Sequence, residues 1–203
     1  MVADACIVLA KPLHASGSET DDSERQTMAG RMMSRRAIGA LWLTLTWLAA
    51  GGPAWAQGIE RLEEVRDWSA FRYAEGDASV CYMASQPKKD EGDYQTRGEI
   101  YAIVTHRPAE NRVAEVSIVA GYTYKEESAV EVKIGSKSWE LFTEGSSAWA
   151  PTPEEDLALV NAMKGGSSMI VKGTSSRGTA TIDTYSLLGF SKAYAAISKA
   201  CGL

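Results

Sequence analysis

After residue 56 the chain carries a single histidine, His106, and that one imidazole limits the acid–base chemistry open to it. Its strictest use is hydrolysis by a serine–histidine–acid set, with Ser175 as nucleophile and Asp183 as the acid. The run Gly173-Thr174-Ser175-Ser176-Arg177 fails the sharp turn such a serine needs, because Arg177 stands where a glycine is required. His106 lies at a strand end beside Arg107-Pro108, where an exposed surface histidine is the expectation. A phosphate cradle would need a lysine and a hydroxyl directly after its last glycine, but Gly178 is followed by Thr179-Ala180, so this stretch reads as a turn between strands. No catalytic residue, metal site or cofactor is expected.

Two arginines stand out by their context. Arg97-Gly98 and Arg177-Gly178 each open a predicted strand. A guanidinium grips a carboxylate with two parallel hydrogen bonds. One reading is a partly buried ion pair, with Asp183 or Glu99 as partner, that fixes strand ends. The other is a surface contact for an anion or a peptide carboxylate. Tyr122 and Tyr124 share one face of a strand and flank a loop. Arg97, Tyr122, Tyr124 and Arg177 together form the candidate binding surface. Trp68, Trp139 and Trp149 fall in alternating stretches and read as core, since aromatic rings bury large areas.

The elements that must position these residues are mostly strands. Ala114, Val116, Ile118 and Ala120 alternate with Glu115, Ser117 and Val119, the two-residue period of a strand with one buried face. Val130, Val132 and Ile134 do the same, and Gly135-Ser136-Lys137 turns the chain into Trp139 and Leu141 as a hairpin. Further short strands are predicted at 79–84, 99–105, 148–150, 169–172 and 179–187. Residues 57–67 read as a short helix or a lead-in, and 88–93 as a charged loop. One helix is predicted at about 153–164: Thr152 caps it, Pro153 suits its first position, Glu155 completes a capping box and Gly165-Gly166 ends it. A second is predicted at about 190–201, with Phe190, Tyr194, Ile197 and Cys201 near one face. The expected fold is mainly β, an antiparallel sandwich or barrel-like sheet with these two helices packed on it.

The N-terminal part reads as an address. Met33-Ser34-Arg35-Arg36 is basic, 37–50 is an uncharged and mostly apolar run, and Ala54-Trp55-Ala56 is a small-x-small site before Gln57. Residues 33–56 are therefore expected to be a signal peptide cleaved between Ala56 and Gln57. The apolar run is shorter than the ~20 residues of a membrane span, and no later stretch is long and apolar enough to span. The Arg35-Arg36 pair leaves twin-arginine and general export both open. Residues 1–32 read as a doubtful extension, with Met28, Met32 or Met33 as alternative starts. Residues 57–203 are expected to form one domain, with 16 Lys and Arg against 21 Asp and Glu. Those charges are interspersed without a basic stripe, which argues against nucleic-acid binding. Cys6 falls in the extension, leaving Cys81 and Cys201. In an oxidising compartment these two most simply form one disulfide, with two buried free thiols as the alternative.

The order of residues resembles the invasion-associated locus B family of exported bacterial proteins. The resemblance rests on Cys81 and Pro87, Arg97-Gly98, Gly121-Tyr122, Ala148-Trp149, the run from Leu159 to Gly165, and Met169. It continues through the run from Gly173 to Thr179, then Asp183, Tyr185-Ser186-Leu187, Gly189-Phe190 and Cys201. It implies a small β-rich domain of the periplasm or cell envelope, or secreted, with no enzyme activity or cofactor to carry over. The expected function is non-enzymatic binding of an unknown envelope or host protein or of an envelope component, with a role in host interaction and an oligomeric state left open. An exposed strand edge is one expected means of recruitment. The rival is a periplasmic hydrolase, which two converging carboxylates in a pocket, or His106 beside a hydroxyl, would favour.

Overall fold

The computed structural model describes residues 58–203. The expected extension at 1–32, the signal at 33–56 and its cleavage point between Ala56 and Gln57 lie outside the described residues.

The strands are β1 (Glu60–Val65), β2 (Trp68–Glu75), β3 (Ala78–Ser85), β4 (Lys89–Gly92), β5 (Tyr101–Arg107), β6 (Arg112–Val119), β7 (Ala129–Ile134), β8 (Lys137–Glu144), β9 (Ser147–Trp149), β10 (Ser168–Thr174) and β11 (Ala180–Ser186). They form one antiparallel sheet in the order β1-β2-β3-β5-β6-β9-β8-β7-β10-β11-β4. Two helices, α1 (Pro153–Gly165) and α2 (Phe190–Ala200), accompany it. The mainly β, antiparallel expectation with two helices holds.

The sheet is open by pairing but strongly curled. β3 is third from one edge, and β4 forms the other edge against β11. Only residues 86–88 link them, a span of about 14 Å at full extension. The far edge must therefore lie beside β3. The Trp68 indole N–H donates to Ser186 O at 3.0 Å, and Asp67 N–H to Leu188 O at 3.3 Å, so the start of β2 also meets the end of β11.

Alternation explains the core. Val130, Val132 and Ile134 point inward from β7, while Ala129 and Lys133 face out. On β6, Ala114, Val116 and Ile118 are fully buried. Where β9 ends opposite Ser117, the Val116 N–H donates instead to the buried Asp156 carboxylate at 2.8 Å, which ties α1 to the sheet.

Helix α1 begins as predicted, with Thr152 Oγ1 accepting from Glu155 N–H at 3.3 Å. Its buried face is Leu159, Val160 and Met163, whereas Leu157 is exposed. Helix α2 buries Phe190, Ala193 and Ile197, and Phe190 meets Trp68 edge-on at 4.9 Å. Cys81 on β3 and Cys201, just after α2, form a disulfide with their Cα atoms 6.0 Å apart.

Two segments differ from the sequence expectation. Residues 57–67 hold an edge strand rather than a helix or lead-in, and 88–93 hold β4 rather than a loop. β4 is charged and exposed and shows no apolar period, while the three-residue spacing of Ile59, Leu62 and Val65 suggests a helix although Leu62 packs against the core from a strand. Pairing with β2 and with β11 overrides their local preference.

Candidate functional site

Arg97, Tyr122 and Arg177 line one cleft of about 670 Å³. The segment 93–98 before β5, the segment 121–123 after β6, and the β10–β11 turn enclose it, with Thr181 on β11. Gly98 and Gly121 set the floor. Gly121 has φ +71°, and Gly98 N–H donates to Gly121 O at 2.8 Å. A Cβ on Gly121 would stand 2.4 Å from Gly98 O, so only glycine fits there.

Arg97 is held from every side. Nη1 and Nη2 donate to the two Asp183 oxygens, each at 2.7 Å, and Nε donates to Ala120 O at 2.7 Å. Its guanidinium lies 5.0 Å from the Tyr122 ring centre and 5.5 Å from that of Tyr94. Both side chains of the ion pair are under 5% exposed. Burial acts to lower the Arg97 pKa, but the paired Asp183 outweighs it and holds the guanidinium above its ordinary value. Of the two readings of Arg97, the structural one describes this geometry.

Tyr122 is half-buried, and its hydroxyl shares a 2.6 Å hydrogen bond with Thr181 Oγ1. Burial raises its pKa. Tyr94 donates to Asp90 Oδ2 at 2.5 Å, and that hydrogen bond raises its pKa. Tyr124, expected at an exposed surface, is buried at 4% exposure. It does not share a regular strand face with Tyr122. Its backbone makes an isolated bridge to Ser175, and its ring packs edge-on to Tyr122 at 5.3 Å. Arg177 sits exposed in the β10–β11 turn, and among the described residues it has no ion-pair partner.

Nothing in residue type or spacing singles out Tyr94, Thr123 or Thr181, which also line the cleft. Tyr94 lies in a polar stretch with no periodicity, and Thr181 faces the cleft only because β11 curls back over the segment before β5.

The serine–histidine–acid set, which the sequence argued against, does not assemble in the structure either. Asp183 is engaged by Arg97, and Ser175 Oγ accepts from Thr179 N–H at 3.1 Å. His106 is not a surface histidine but fully buried. It lies beside a hydroxyl, with Nε2 3.1 Å from Ser198 Oγ on α2. Its Nδ1 accepts from the Ala114 N–H at 2.9 Å, so the neutral ring carries its proton on Nε2 and donates to Ser198. That is the wrong tautomer for a base that must take the serine proton. Burial, and secondarily the nearby Lys164 charge, lower the His106 pKa to about 4. The geometry that would favour a hydrolase is thus present in distance and absent in chemistry. Among the described residues there is no cluster of three metal-ligating side chains, and no helix is long and apolar enough to cross a membrane.

Both sheet edges are poor templates for strand addition. β1 is short, carries Glu60, Arg61, Glu63 and Glu64, and has an irregularity between Arg61 and Glu63; β4 is four residues with no apolar side chain. Charge, brevity and bulges are the features that blunt edges.

The family model described as invasion associated locus B (IalB) protein matches residues 68–198. No curated protein and no solved structure matches the chain.

Proposed function

Because the chain belongs to the invasion-associated locus B family, an exported bacterial family, we propose that it is a non-enzymatic binding domain of the periplasm or cell envelope whose ligand or partner sits in the cleft bounded by Arg97, Tyr122 and Arg177. The observation that carries this reading is a pre-organised cleft with an exposed cation at its rim. Asp183 and two tyrosine rings hold its Arg97 in place, so little order is lost on binding. The buried His106, with its proton on Nε2, argues against the serine-hydrolase alternative. Export behind a signal at 33–56 belongs to the same proposal, and a role in host interaction follows only where the ligand is a host surface component.

The test is in-cell crosslinking. A photoreactive residue at Ser176, in the β10–β11 turn, is expected to give a reproducible adduct in intact cells, identified by mass spectrometry. Adding Arg177→Glu should abolish that adduct while the melting temperature stays unchanged. Unchanged crosslinking would remove the cleft from the proposal, and absence of any adduct, with no ligand binding to the purified protein, would remove the binding role.

A further inference from the structure

Resting on that reading of the cleft, we propose that its ligand is a neutral oligosaccharide: a chain of pyranose rings presenting paired hydroxyls, without a net charge of its own. The chemistry of the lining carries this.

The residues around the cleft include Thr96, Thr123, Ser175, Ser176, Thr179 and Thr181, with Gln95 beside them. The Ser175 and Thr181 hydroxyls are buried and already bonded to Thr179 N–H and Tyr122, whereas the Thr96, Thr123 and Ser176 hydroxyls and the Gln95 amide are exposed and can both donate and accept. No Leu, Ile, Val, Met or Phe lines the cleft. A lipid chain or an apolar peptide anchor therefore finds no surface to bury, whereas anchoring in apolar pockets is how protein partners bind. The volume of about 670 Å³ is that of a small-ligand site rather than of a flat protein interface.

Two aromatic side chains, Tyr94 and Tyr122, line the cleft. Each hydroxyl is already engaged, by Asp90 and by Thr181, and each ring is braced by the Arg97 guanidinium. Both residues line the cleft with their rings held in place, and the ring surface left to a ligand is of the kind against which the C–H face of a sugar packs.

The charges decide between a neutral and an ionic ligand. Asp183 cancels Arg97 within the buried pair. The remaining charges lining the cleft are Arg177 and Asp93, one of each sign, both exposed and neither in an ion pair among the described residues. A phosphate or carboxylate ligand meets attraction from one and repulsion from the other. A vicinal diol suits both, since a guanidinium donates two hydrogen bonds and a carboxylate accepts two.

The experiment is titration calorimetry of the full domain with a panel of neutral trisaccharides (α- and β-linked glucose, N-acetylglucosamine, mannose and galactose trimers). A trigalacturonate, inorganic phosphate and an acidic hexapeptide serve as comparison probes. At least one neutral trimer is expected to bind, with a Kd that changes little between low and physiological salt, because no net charge is being screened. Arg177→Ala and Asp93→Asn, both exposed and neither bonded to the buried pair, should each weaken that binding about tenfold. Ser176→Trp, which fills the mouth of the cleft, should abolish it. An unchanged melting temperature shows that each variant is folded.

Binding only of trigalacturonate or phosphate, with steep salt dependence, overturns the neutral-sugar assignment, and so does failure of every neutral trimer. Binding that survives all three substitutions moves the sugar away from this cleft and equally overturns the proposal. Should every sugar fail while the Ser176 photocrosslink captures an envelope protein, the oligosaccharide falls and the cleft's binding role stands. Failure of both measurements removes both.

Discussion

His106 shows how one side chain can be misread from its neighbours and reinterpreted from its bonds. It sits opposite Ala114, which adopts φ +62° while fully buried, and the imidazole accepts that residue's N–H. The histidine therefore acts as a structural acceptor beneath α2, with Tyr194 edge-on at 5.1 Å. Its folded pKa of about 4 lies below the ordinary 6.5, so between these values the unfolded chain binds the extra proton. The contribution to stability is full above pH 6.5, falls as pH drops through this window, and amounts to about 3 kcal/mol in total. His106→Gln keeps one acceptor and one donor but does not titrate. Urea denaturation from pH 7 to pH 4 should therefore show a smaller loss of stability in the variant than in the parent. The Arg97–Asp183 pair gives a second residue-scale expectation. Arg97→Leu should cost about 3–5 kcal/mol by stranding a buried carboxylate, and adding Asp183→Leu should recover part of that loss. Equal losses in the single and double variants would show that the pair itself, rather than the stranded charge, sets the cost.

At the scale of elements, what the sequence showed depended on whether an element buried a face. The alternation at Val130, Val132 and Ile134 and the cap at Thr152 appear where predicted, because each reflects a local physical demand. β4 escaped detection because a strand exposed on both faces carries no period, and β1 because its few apolar residues, Leu62 and Val65, are spaced by three rather than two among charged side chains. The cleft was half legible. Arg97, Tyr122 and Arg177 were marked by residue type, but the burial of Tyr124 and the presence of Tyr94 depend on how distant segments meet. Helix α2 is held by its buried face and by the Cys81–Cys201 bond. Cys201→Ser should lower stability by about 4–5 kcal/mol, and hydrogen exchange should show faster amide exchange in α2 than in α1. The close approach of Gly121 to Gly98 makes a further element-scale case. Gly121→Ala should cost at least about 1–3 kcal/mol, read as a lower urea midpoint, because it combines a positive φ with a backbone clash.

Across the whole molecule, the curl of the sheet makes both the core and the cleft. It brings Asp183 of β11 onto Arg97 before β5, and Trp68 of β2 onto Ser186. Neither meeting is visible in local sequence, because each joins residues far apart along the chain. The same curl places β4, which follows β3 by three residues, against the far end of the sheet. This has a consequence for the order of events during folding. The hairpin of β2 and β3 can form early, but β4 has no partner until β11 has been made and brought round. Such non-local closure slows folding to the millisecond-to-second range. The segment that waits longest is Lys89-Asp90-Glu91-Gly92, which offers nothing apolar to a neighbouring chain while it waits.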